Sequence, residues 1–110
     1  MSIVEQFLAA MVAHDWDAMG ACVTDNVVRV GPYLDVYTGR DDYVAYLSAV
    51  LPSLPGYSME IVRIVESGSI VTAQLAETVD GLRTPEALVF DLAPDGRIAR
   101  IEVFIQQGAM

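Results

Sequence analysis

The chain has 110 residues, of which 15 are Asp or Glu and six are Lys or Arg, for a formal net charge of −9. With the basic residues scattered instead of clustered, phosphate backbones and anionic lipid surfaces would repel it, so neither nucleic acid nor a membrane is an expected partner. One cysteine and one histidine exclude an internal disulfide and a Cys/His metal set, and no metal or other cofactor is expected.

The N-terminal run Met1-Ser2-Ile3-Val4-Glu5 lacks the basic region of a signal peptide, and no apolar stretch reaches membrane-spanning length, so a cytoplasmic location is expected. Ile3, Val4, Phe7, Leu8, Met11 and Val12 recur at three- and four-residue spacing and predict a first helix ending near His14, whose imidazole is expected to satisfy the last carbonyls. Asp15 predicts the cap of a short second helix over Trp16 to Val23, with Ala18, Met19 and Cys22 inward. Thr24-Asp25-Asn26 reads as a turn. Val27 to Val30 reads as a short strand that Gly31-Pro32 terminates, since proline has no ladder donor. Tyr33 to Thr38 reads as a loop with two strand residues. A third helix opens at Thr38-Gly39-Arg40-Asp41, carries Val44, Leu47, Val50 and Leu51 on one side, and stops at Pro52, Pro55 and Gly56.

Four long strands follow, Tyr57 to Ser67, Ser69 to Val79, Arg83 to Ala93 and Ile98 to Gln107, cut apart by Ser67-Gly68, Asp80-Gly81 and Asp95-Gly96. Strands of this length in a meander must twist and curl. The order predicts an α+β fold in which N-terminal helices pack on the inner face of a strongly curved, antiparallel, mixed-order β-sheet. Residues 1–110 are expected to form a single domain. An apolar content of 54% exceeds what a small monomer comfortably hides, which predicts a homodimer through the convex sheet face, with Phe104 on it.

This order, with His14-Asp15-Trp16-Asp17-Ala18-Met19 at the helix junction and the ending Asp95-Gly96-Arg97-Ile98-Ala99-Arg100-Ile101, resembles the NTF2-like superfamily and its SnoaL-like and ketosteroid-isomerase-like proteins. The resemblance covers essentially the whole chain and implies a cone-shaped, cystatin-like scaffold with a mostly apolar pocket. A small hydrophobic, carbonyl-bearing molecule is the implied ligand, and a cofactor-free isomerase, cyclase or hydratase the implied activity. The alternative is a non-catalytic binding or dimeric assembly module, because one scaffold hosts many functions. The steroid isomerases' general base falls at Gly31, before Pro32, and their two oxyanion donors fall at Leu88 and Phe7. None of these can do that work. Limonene-epoxide-hydrolase-like members carry Glu-Arg-x-Asp where this chain has Glu77-Thr78-Val79-Asp80, and their second acid falls at Val103.

The same registration places Ile101, Val103 and Ile105 inward on the last strand, with Arg100, Glu102 and Phe104 outward. It places Glu86, Leu88 and Phe90 inward on the strand before, and Gln74, Ala76, Thr78 and Asp80 inward on the strand before that. Arg29 also points into the cup. Asp80 and Glu86 are thus the expected proton carriers, with Arg29 as charge partner, because a desolvated carboxylate gains basicity and an Arg can orient a carbonyl. Phe7, Met11, Tyr33, Asp35, Thr78, Leu88, Phe90 and Val103 are the expected binding residues, Tyr33, Asp35 and Tyr37 forming a lid. Trp16, Tyr43 and Tyr46 read as packing. Glu60, Arg63 and Glu66 read as exposed residues, alternation setting Arg63 apart from the other two.

Overall fold

In a computed structural model, which describes residues 2–106, the order is α1 (Ile3–Val12), α2 (Trp16–Ala21), β1 (Val23–Val30), β2 (Val36–Thr38) and α3 (Arg40–Val50). A 3-10 turn (Leu51–Ser53) then leads into β3 (Ser58–Ser67), β4 (Ile70–Val79), β5 (Leu82–Leu92) and β6 (Ile98–Ile105). Gln107, the expected end of the last strand, lies outside the described residues. The helices start where local chemistry dictates. Ser2 Oγ accepts from the Glu5 N–H while Glu5 Oε1 accepts from the Ser2 N–H, a reciprocal cap on α1. Asp15 Oδ1 accepts from the Ala18 N–H at 3.1 Å and caps α2 as expected.

The end of α1 corrects the expectation for His14. Its backbone takes the left-handed conformation, φ 56°; its N–H donates to Met11 O, and the next N–H, of Asp15, donates to Ala10 O. Main-chain groups therefore close the helix, in a Schellman arrangement. The imidazole stacks on Trp16, with ring centroids 5.2 Å apart. Ala18 and Val12, expected inward, are exposed, whereas Met19 and Cys22 are buried.

The six strands form one open sheet in the order β2-β1-β6-β5-β4-β3. Every neighbouring pair is antiparallel except β1 and β6, which run parallel. Thr24-Asp25-Asn26 is not a turn between elements. Between the pairs Val23↔Ile98 and Val28↔Arg100, β1 advances five residues and β6 two, so the expected turn is a bulge inside a longer strand. Arg40 spans that bulge, with Nη2 donating to Val23 O at 2.8 Å and Nη1 on Asp25 Oδ1 at 2.8 Å. A second shift lies between Ile61 and Arg63 on β3. It resets alternation, so that Glu60 and Arg63 share a face and Glu66 takes the opposite one, which reverses part of the expected pattern.

The Asp80-Gly81 turn has positive φ at both residues, 52° and 79°, as a two-residue hairpin of type I′ demands. It sets Val79 opposite Leu82, and the ladder then places Leu75 opposite Glu86 and Ala73 opposite Leu88. Inward residues on β4 are therefore Val71, Ala73, Leu75 and Glu77. This corrects the expected set Gln74, Ala76, Thr78 and Asp80 by one residue, which in a strand exchanges the two faces.

The core lies between the helices and that inner face. Val4, Phe7, Leu8 and Met11 of α1 meet Val71, Ala73, Leu75, Leu88, Phe90, Ile98 and Ile101 of the sheet. Phe7 packs edge-on to Phe90 at 5.9 Å and stacks on the buried Tyr43 at 6.4 Å. This aromatic cluster belongs to the buried core.

Candidate functional site

Above the aromatic cluster, the space between α3, the β1–β2 loop and the inner face of β4, β5 and β6 stays open as a cavity of about 250 Å³. Its walls are largely apolar, supplied by Met11, Leu47, Val50, Leu51, Leu54, Leu88, Val103 and Ile105. Alternation on β5 and β6 explains the far wall. Leu88 pairs with Val103 and Glu86 with Ile105 across that ladder, so all four share the inner face.

Polar groups reach the cavity from two sides. On the sheet, Glu77 and Glu86 both line it. Burial pushes the Glu86 carboxyl up to about 9 from its ordinary 4.5, and the hydrogen bond to the Glu77 carboxylate and its charge push the same way, with Arg29 opposing them. Glu86 therefore holds a proton at neutral pH. Glu77 accepts a second hydrogen bond, from the Tyr57 hydroxyl, whose own pKa is raised by burial and by the Glu77 charge. Two O–H groups, of Glu86 and Tyr57, thus converge on the Glu77 side chain.

Arg29 enters from the opposite side. Its side chain is 11% exposed, with Nη1 2.9 Å from Asp35 Oδ2 and the guanidinium 5.3 Å from the centre of the Tyr46 ring. Tyr46 in turn stacks on Tyr37 at 4.1 Å. Asp35 Oδ1 also accepts from the Tyr33 N–H. Burial works against the charged form of Asp35, but backbone hydrogen bonds and Arg29 outweigh it, so its pKa lies below the ordinary carboxylate value. The loop is drawn tight by Gly31 N–H donating to Asp35 O at 2.7 Å and by Leu34 N–H donating to Gly31 O, with Leu34 at φ 62°. A Cβ at Gly31 would fall on the Asp35 carboxylate. The space that a side chain at position 31 would occupy is thus filled by a carboxylate from four residues along.

Of the residues expected in the site, Arg29, Glu86, Met11, Tyr33, Asp35, Leu88 and Val103 line this cavity together. Phe7 and Phe90 do not; both are fully buried in the core beneath it. Thr78 is on the opposite face of β4 from Glu77. Asp80 is exposed in the hairpin turn, where its N–H donates to Pro55 O at 2.7 Å, so it is not in the cavity. Tyr46 lines it beyond the packing role expected. Glu77 and Tyr57 are the residues that sequence reasoning missed. The signal was present: a two-residue Asp-Gly turn fixes the register of β4 against β5, and an inward Glu86 then forces Leu75 and Glu77 inward. Among the described residues no cluster of His, Cys, Asp and Glu is arranged to hold a metal ion, and no helix is long and apolar enough to cross a membrane.

The SnoaL-like domain profile matches residues 4–101. No curated protein matches the sequence. Among solved structures, a putative ketosteroid isomerase from Kribbella flavida superposes with a TM-score of 0.87 at 17% identity, over 98% of this chain and 78% of that one. An NTF2-like protein of unknown function from Cytophaga hutchinsonii gives a TM-score of 0.81 at 16% identity, over 94% and 87%. An epoxide hydrolase of the LEH-like type from M. tuberculosis gives 0.78 at 25% identity, over 94% and 80%. The first two likenesses are of fold.

Proposed function

We propose, for a chain that belongs to the SnoaL-like domain family, a cofactor-free acid–base catalyst acting on a small hydrophobic molecule with a carbonyl or epoxide oxygen. The observation that carries this reading is the Glu77–Glu86 pair at the wall of an apolar cavity. Glu86, its carboxyl pushed up to about 9, keeps a proton to give, and Glu77, which accepts hydrogen bonds from Glu86 and Tyr57, offers acceptor oxygens beside it, so the pair can remove a proton at one atom and supply one at another. Glu77 is the base, directly on a C–H beside the carbonyl or through a water. Glu86 is the acid, giving its proton to the developing oxyanion or alkoxide. Positioned groups of this kind contribute about 10²–10⁴-fold each. The similarity to an LEH-like epoxide hydrolase supports a water-addition variant, although the acids here stand at different positions from those expected of that family.

Deuterium uptake from D₂O at carbons beside a carbonyl, followed by NMR over a panel of small cyclic ketones, tests the reading. The folded chain is expected to accelerate exchange for a subset of the panel. Glu77→Gln is expected to lower the rate at least about 100-fold. Equal rates in both proteins would remove Glu77 as base.

The second part of the reading is a homodimer through the outward sheet face. Val65, Ile70 and Phe104 are exposed there, more large apolar surface than a solvated sheet face usually carries. A purely assembling role without chemistry would need this face and not the half-buried acid Glu86. Sedimentation velocity at micromolar concentration is expected to give a dimer, and a monomer would exclude this face as a self-association surface.

A further inference from the structure

Four ionisable side chains face the cavity: Arg29, Asp35, Glu77 and Glu86. Arg29 and Asp35 neutralise each other at 2.9 Å. Glu77 and Glu86 add two more acidic side chains and no cation to the lining. The cavity therefore sets three carboxyl groups against one guanidinium, inside a chain of net charge −9. Arg29 is its one cationic side chain, and that cation already has a carboxylate bound. A ligand carboxylate would bring an uncompensated negative charge into a largely apolar cavity, a cost that only pairing with a cation offsets.

From this geometry we infer that Asp35 is a specificity-determining residue: by holding Arg29, it restricts the cavity to uncharged ligands and turns away carboxylates of the same shape. Size narrows the class further. About 250 Å³ lies below the range of pockets that hold drug-sized ligands. The ligand is then a single small ring or a short branched chain with one polar oxygen. The built-in nature of the Arg29–Asp35 contact supports a selective role. Gly31 leaves the space that the Asp35 carboxylate fills, and the loop holds Leu34 in a left-handed conformation to bring it there. The inference rests on the cavity being the binding site, as proposed above, and not on its catalysing a reaction.

Benzamide and benzoate are matched in shape and differ in charge, and titration of each into the folded chain, followed by NMR shift changes, tests the inference. Wild type is expected to bind benzamide at least tenfold more tightly than benzoate. Asp35→Asn, nearly the same shape, frees Arg29 and is expected to lower that ratio at least tenfold through a gain for benzoate. Adding Arg29→Gln to Asp35→Asn should cancel the gain, and the melting temperatures of both variants establish that each is folded. A wild-type ratio near one, an unchanged ratio in Asp35→Asn, or a benzoate gain that survives loss of Arg29 would overturn it. Binding of neither compound would overturn it together with the cavity's role as a binding site. Benzamide selectivity without any deuterium exchange would sink only the catalytic reading.

Discussion

Glu86→Gln is expected to stabilise the folded chain at neutral pH while it removes proton transfer. Glu86 has a folded pKa of about 9 against an ordinary 4.5. Below pH 4.5 folded and unfolded chains both hold the proton, and the group costs nothing. Between 4.5 and 9 the folded state binds more protons than the unfolded state, so stability falls as pH rises through that window. Glutamine does not titrate and can still donate an N–H to Glu77, so it escapes this loss. Allowing for the solvent that still reaches the carboxyl, the gain at pH 7 is roughly 1–2 kcal/mol. Urea unfolding of the two proteins should coincide near pH 4.5 and separate progressively towards pH 9. Catalysed deuterium exchange should fall by about 10²–10⁴-fold in the same variant. A variant that is less stable at pH 7 than wild type would mean that Glu86 is held as an anion by its surroundings, and the acid role would go with it.

The largest loss of stability is expected at Phe90. Its side chain is fully buried, edge-on to Phe7 and beneath the cavity, where no solvent can replace it. Phe90→Ala is expected to cost about 3–5 kcal/mol, from lost burial plus the void left behind. Against a total of roughly 5–15 kcal/mol for a folded domain, most of the margin is gone, and the midpoint of thermal unfolding should drop by more than about 10 °C. Differential scanning calorimetry measures this directly. A change below about 1 kcal/mol would show that the helices and sheet do not meet through this ring.

Much of the architecture was legible because it is written in local chemistry. Asp-Gly and Ser-Gly pairs mark hairpin turns, Asp15 marks a helix start, and apolar spacing marks α1. What escaped was set by pairing between distant segments. Thr24-Asp25-Asn26 has turn composition, yet parallel pairing of β1 with β6 absorbs it as a bulge. On β4 the residues Gln74, Ala76 and Thr78 do not by themselves say which face is inward; pairing with Glu86 across the ladder does. A shift of one residue exchanges Glu77 for Thr78 and Asp80. Arg29 and Glu86 were legible as charges pointing into a cup, and Asp35 as a carboxylate in the loop over its mouth. That Asp35 already holds Arg29, and that Tyr57 reaches Glu77 from twenty residues away, depends on tertiary closure.

The parallel pairing of β1 with β6 also governs when this fold can exist. Val28 is joined to Arg100 and Val30 to Glu102, so β1 and the edge strand β2 have no place in the sheet until the last strand is made. During synthesis the apolar faces of α1 and α3 emerge before the strands β4 to β6 that cover them. Such long-range closure slows folding. A ribosome stalled before β6 therefore holds a chain whose cavity lacks the wall that Val103 and Ile105 supply.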